Sequence, residues 1–304
     1  SPCKLSLLKK KMAVKEIELV IPPRNPHFVG DGFRVQNFIP SAYGLDMQRM
    51  SPFIMLDYNA PFHFPATDTP RGVGVHPHRG FETVTLAYQG SVAHHDSGGN
   101  QGIIGPGGVQ WMTAASGVLH KEYHEAEFAK KGGIFQMVQL WVNLPAAHKM
   151  SPPKYQGFSE KDIPTVHLDH EMGHVKVVSG QYQGTKGAAT TFTEVHLYNV
   201  HLNDQGKASF SFPAQNNTAV LVLSGIISIA SHEETIEENH LVLFQNKGES
   251  FEITANQATD LLVLSGSPIN EPIAAQGPFV MNTQAEIAEA IRDFHTGGFG
   301  VLED

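Results

Sequence analysis

The chain has 304 residues, enough for about two domains with a core each, and its 41% hydrophobic and 17% charged content is that of an ordinary folded protein. A net charge of −9 argues against a direct nucleic-acid partner, and no run of roughly 18 apolar residues reads as a membrane span. The single cysteine, Cys3, excludes an intrachain disulfide and fits a reducing compartment, which points to the cytoplasm, or to the nucleus as well in a eukaryote.

Residues 1–11, SPCKLSLLKKK with four lysines, read as a disordered basic extension outside the folded part. From Met12 onward the pattern is short apolar runs punctuated by glycine. His76-Pro77-His78 lies on a strand-like segment, and Arg79 beside it is expected at the surface. A strand is predicted over 82–88 (ETVTLAY), ending at Gln89-Gly90. His94 and His95 are adjacent, so they point to opposite faces of a strand and read as loop or rim residues. Trp111 and Met112 are predicted core. His120-Lys121-Glu122 lies on a further strand, and His124 has the same parity, but Tyr123 and Glu125 suggest that this strand runs out to the surface. Residues 134–144 form a long apolar run.

The stretch 145–164 carries four prolines and mixed charge, which places a first domain at 12–145, a linker at 146–165 and a second domain at 166–304. Strands follow at short spacing over 174–179, 190–201, 219–223, 226–230, 240–244, 249–254 and 260–264. Thr283 and Glu286 form a capping box before Ile287, Ala290, Ile291 and Phe294, so a short helix is predicted near the end. The halves echo each other: LAYQGSVAHHD at 86–96 resembles LVLSGIISIAS at 221–231, and PGGVQWM at 106–112 resembles NHLVLFQ at 239–245. Two tandem copies of one β-barrel are the economical all-β interpretation.

Six of the 17 histidines fall between residues 76 and 124. An isolated histidine is more often a packed or surface residue than a ligand, but an HxH joined to an HxE reverses those odds. His76 and His78 share one strand face, with Glu82 in phase beyond them, and His120 and Glu122 share a face on a second segment. If those faces meet inside a barrel, three imidazoles and a carboxylate converge, a donor set suited to one divalent transition metal. In the second half the segment that aligns with the HxH strand reads Pro213-Ala214-Gln215-Asn216-Asn217, so that barrel is expected to hold no metal.

HPHRGFETVT (76–85), GPGGVQWMTAASGVLHKE (105–122), FQMVQLWVNLP (135–145) and QGPFVMNT (276–283) together resemble the pirin family of bicupins, over nearly the whole chain from about Met12. The resemblance implies two tandem cupin (jelly-roll) barrels with a short C-terminal helix, and one metal, usually Fe(II), in the first barrel only. Mn, Co, Ni, Cu and Zn accept the same donors. It implies the ligands His76, His78, His120 and Glu122. A generic cupin would take its glutamate from the first motif, so Glu82 is expected instead to orient a histidine. The activity implied is a quercetin (flavonol) 2,3-dioxygenase acting as a monomer on a flavonol and O₂, with Glu122 as proton acceptor. The alternative is a redox-sensitive, metal-binding regulator of a transcription complex or partner enzyme. The chain departs from the family at Gly107-Gly108, where Gly-Asp is common, and at Ala114-Ala115-Ser116-Gly117, where Ala-Gly-Arg-Gly is common.

Overall fold

A strand with one apolar face must bury that face and complete its backbone ladder, and this chain does both by building the same pair of antiparallel sheets twice. The computed structural model describes residues 13–41 and 43–304; the basic extension expected at 1–11 lies outside them. In the first barrel a seven-stranded sheet runs in the order Lys154–Phe158, Val109–Thr113, Phe81–Gln89, Gly133–Asn143, Phe53–Phe64, Phe33–Ile39, His27–Val29. A four-stranded sheet faces it, in the order Gly72–His78, Val118–His124, Val92–Asp96, Gln101–Ile104.

The second barrel repeats this order. Its seven strands are Ile17–Ile21, Leu241–Phe244, Asn217–Ser224, Thr259–Gly266, Val195–Leu202, Gly173–Ser179 and Thr165–His167. Its four are Lys207–Ser211, Ser250–Ala255, Ile226–Ile229 and Ile236–Glu237. The strand expected over 190–201 begins only at Val195. The strand corresponding to the HxH segment is Lys207–Ser211 rather than 213–217, because the echo between the halves fixes strand order and not residue register.

The two large sheets pack against each other. Val84, Leu86, Trp111 and Leu140 of the first meet Leu197, Leu221, Leu243 and Leu264 of the second in one buried cluster. The opposite face of each large sheet closes its own barrel.

The expected domain boundaries need correction at three places. Strand Ile17–Ile21 pairs with Leu241–Phe244 and so belongs to the second barrel, although it precedes the first. The expected linker supplies Lys154–Phe158, which pairs with Val109–Thr113 as the matching edge of the first barrel. Each barrel thus receives the edge strand that chain order would assign elsewhere or leave free. The C-terminal segment crosses back as well: Ala274, Phe279, Met281, Ile287 and Phe299 pack with Leu119 of the first barrel. The helix Gln284–His295 forms as expected, with Thr283 Oγ1 accepting from the Glu286 amide at 3.2 Å. Buried Lys149 pins this return, donating from Nζ to Gly80 O at 2.8 Å, Asn143 Oδ1 at 2.6 Å and Val280 O at 2.8 Å.

Candidate metal centre

Strands Gly72–His78 and Val118–His124 pair antiparallel with His76 opposite His120 and His78 opposite Val118. On its other side Val118–His124 pairs with Val92–Asp96, which sets His120 opposite Asp96 and Glu122 opposite His94. Directly opposed residues share a sheet face. His76, His78, His94, Asp96, His120 and Glu122 therefore all project from one face, toward the barrel interior. Between His120 and Glu122 the register shifts because Gly72–His78 carries an extra residue between Val73 and His76, a bulge of the kind that commonly re-aims side chains at functional sites.

The rings converge. His76 and His120 have centroids 4.2 Å apart, His78 and His120 4.7 Å, and His76 and His78 4.9 Å. Donor atoms of His76, His78 and His120 lie within 4.8 Å of one another, and so do those of His94, His120 and Glu122. His120 is the member common to both groups. Glu122 is thus brought to the cluster on the side of His94 rather than of His76.

The side chains fit a cation. His120 is 1% exposed and neither of its ring nitrogens has a hydrogen-bond partner; His78 Nδ1 and His94 Nδ1 are buried and unpartnered as well. Each such atom costs about 1–3 kcal/mol unless something satisfies it. Burial, reinforced by the neighbouring imidazoles, holds His78 and His120 well below the ordinary histidine range, so both are the neutral form that ligates metals. His76 directs Nδ1 at Gly74 O, 2.7 Å away, which leaves Nε2 free for the cluster. The partly exposed His76 and Trp141 mark the side that meets solvent, and Trp141 stands edge-on to His78 at 5.3 Å.

Around Glu122 the wall is polar. Gln110 Nε2 lies 3.4 Å and Thr85 Oγ1 3.5 Å from Glu122 Oε1. Thr85 also reaches Gln139 Oε1 at 2.9 Å, and Tyr155 donates to Gln110 Oε1 at 3.2 Å. A cleft of 660 Å³ between the barrels, lined by Tyr58, Tyr88, His174 and His201 among others, includes none of the clustered side chains.

Glu82 does not orient a histidine. It shares the face of strand Phe81–Gln89 that carries Val84 and Leu86 toward the second barrel, while Thr85, of opposite parity, faces Glu122. Its carboxylate accepts from Thr113 Oγ1 at 2.5 Å and from no histidine among the described residues. Burial pushes it up to about 7, against the pull of that hydrogen bond. The in-phase spacing from His78 misleads because the turn at Gly80, with φ +99°, ends one strand and begins another. The orienting partners include the Gly74 carbonyl on His76 and the Pro278 backbone on His78, which sequence alone does not single out.

Three other residues depart from expectation. His94 is buried inside rather than at a rim; adjacency only required that one of His94 and His95 point in, and it is His94. His124 is also buried, its Nε2 donating to Gly32 O over 2.7 Å and its ring stacking on Phe135, in an apolar cluster apart from the metal group. Arg79 is 5% exposed: Nε donates to Ser116 O at 2.7 Å and Nη1 to Asp293 Oδ2 at 2.8 Å, and the guanidinium sits over Phe299. It joins the metal strand to the C-terminal helix, a partner more than two hundred residues away. Trp111 and Met112 are core, as expected.

Comparisons with known proteins agree with the two-barrel fold. The sequence model for Pirin matches residues 32–142, and that for the Pirin C-terminal cupin domain matches 197–300. A Pseudomonas aeruginosa protein with the provisional name quercetin 2,3-dioxygenase is 46% identical over 275 residues, covering 90% of this chain and 95% of its own length. A pirin-like protein of Solanum lycopersicum is 34% identical over 273 residues, covering 89% of this chain and 88% of its own. The crystal structure of a quercetin 2,3-dioxygenase from Acinetobacter baumannii superposes with a TM-score of 0.90 at 47% identity, covering 96% of this chain and all of that one.

Proposed function

The chain belongs to the pirin family, and from that premise we propose that it is a metal-dependent flavonol 2,3-dioxygenase, opening the flavonol ring with O₂ and releasing carbon monoxide. The observation that supports this most is the convergence of His76, His78 and His120, with Glu122 beside them, around ring nitrogens that are buried and unpartnered. The proposed ligands are those four residues. A divalent transition metal held there, Fe(II) by preference, would supply a Lewis-acid position for the substrate's 3-hydroxyl oxygen and a path for electron density to O₂.

The protein's own part is positioning and proton handling. Gln110 and Thr85 fix one Glu122 oxygen. The carboxylate then takes the 3-hydroxyl proton as the flavonol binds. Trp141 gives the solvent side an aromatic wall against which a planar substrate packs. Burial of His78, His120 and Glu122 keeps bulk water from the reacting groups.

The test is the absorbance of quercetin under air with protein loaded separately with iron, manganese, nickel and copper. Turnover is expected with at least one metal and is expected to vanish for a flavone lacking the 3-hydroxyl. Unchanged absorbance with all four metals would overturn the enzyme. The reading that then takes its place is a metal-dependent binding module. One observation favours that second reading: the outer face of the same strands carries the chain's last residues, with Tyr123 donating to Asp304 at 2.6 Å and Lys121 Nζ to Glu303 O at 2.5 Å.

A further inference from the structure

We infer that His94 is a fifth protein donor to this centre, binding the metal through Nδ1. The inference rests on the metal-centre reading above and adds a residue that the pirin-like motifs do not contain.

The chemistry of the ring comes first. His94 Nε2 lies 2.9 Å from Asp96 Oδ2. The other oxygen of Asp96 accepts from the Gly98 amide at 2.9 Å and the Asn100 amide at 3.1 Å, with Asn100 Nδ2 at 3.3 Å. A carboxylate so supplied with donors is ionised and accepts only, so Nε2 must carry the hydrogen. With no second hydrogen on the ring, Nδ1 presents a lone pair. That nitrogen is buried and has no partner. A histidine donating one nitrogen to a carboxylate while aiming the other into a buried cluster is the arrangement typical of a metal ligand. Of the four clustered histidines, His94 is the one whose ring is backed by a carboxylate.

The geometry agrees. His94 pairs directly opposite Glu122, and donor atoms of His94, His120 and Glu122 lie within 4.8 Å of one another, close enough for one ion to reach all three. The ring cannot readily swing away. Tyr155 stacks on it at 5.1 Å and 18°, and the same tyrosine holds Gln110, which holds Glu122. Tyr155 comes from the edge strand Lys154–Phe158, so the strand that completes the first barrel's large sheet braces both the fifth donor and the carboxylate.

The experiment is proton NMR of the full chain carrying one Co(II), where each ligating imidazole with a free N–H gives a hyperfine-shifted signal that disappears in D₂O. Wild type should lose one such signal in His94→Phe, which keeps the stacking on Tyr155 but removes the nitrogen. Asp96→Asn should weaken Co(II) affinity by about 10–100-fold, as loss of an orienting partner does. An unchanged set of exchangeable signals in His94→Phe, with Co(II) still bound, would overturn the fifth donor and leave the four-ligand centre standing. Failure of wild type to bind Co(II) at all, with His120→Ala indistinguishable from it, would overturn the centre itself and the inference with it.

Discussion

Strand Gly72–His78 of the first barrel has as its counterpart Lys207–Ser211 of the second, and Val118–His124 has Ser250–Ala255. Where the first pair turns His76, His78, His120 and Glu122 inward, the second turns in Ala208, Phe210, Phe251 and Ile253. Phe251 stacks on Phe244 at 4.2 Å and meets Phe210 at 5.5 Å, so the space that holds imidazoles in one barrel is filled with rings in the other. Apolar filling gains dispersion and hydrophobic free energy, whereas buried imidazoles and a carboxylate lose solvation and recover it only through a partner. One scaffold has been used once to store stability and once to hold unsatisfied donors. The contrast explains how a duplicated barrel can keep its strand order while one copy gathers imidazoles inside and the other is filled with rings.

Exchanging the two kinds of interior should have opposite consequences. His120→Ala is expected to abolish stoichiometric metal binding and leave the protein folded, read by elemental analysis beside circular dichroism. Phe251→Ala should leave metal binding intact and cost about 3–5 kcal/mol of stability, read by denaturant unfolding. If Phe251→Ala removed the metal, the division of labour between the barrels would be wrong.

Glu82 tests whether the first barrel's ionisable burden is confined to its metal face. Its folded-state pKa of about 7 lies above the ordinary value of 4.5, so the folded protein holds this proton more tightly than the unfolded chain. The contribution is therefore fully present below about pH 4.5 and is lost as pH rises through 7, by roughly 3 kcal/mol in all. Glu82→Gln should flatten this part of the stability profile between pH 5 and 8, with metal affinity nearly unchanged. A large loss of affinity would restore the histidine-orienting role that the geometry denies.

The dependence of the first barrel on the chain's end is smaller. Asp293→Ala leaves the buried Arg79 guanidinium without its carboxylate, and because Asp293 is 38% exposed the cost should be only about 1–2 kcal/mol. Hydrogen exchange should quicken in helix Gln284–His295 and not in Lys207–Ser211. The smallest effect expected is at Ala115, whose φ of +43° is a conformation suited to glycine. Ala115→Gly should stabilise by a few tenths of a kcal/mol, the relief of strain being offset by added freedom in the unfolded chain, and a shift in melting temperature would show it.

By itself the sequence determined what depends on neighbours along the chain. Short apolar runs broken by glycine declared many of the strands, the capping box at Thr283 declared the helix, and the two-residue spacings in His76-Pro77-His78 and His120-Lys121-Glu122 declared which side chains share a face. The pirin signatures rest on those same local runs. Tertiary structure decided whatever depends on pairing. Parity is counted along one strand and is lost at a turn, so Glu82 faces the second barrel although it lies in phase with His78. Register between strands brings His94 opposite Glu122, and nothing in the dipeptide His94-His95 says which of the two turns in. The partner of an edge strand is set by which ladder stands open in space, which is why Ile17–Ile21 joins the far barrel and Lys154–Phe158 the near one. Local patterning fixes faces, and only the closed sheets fix which faces meet.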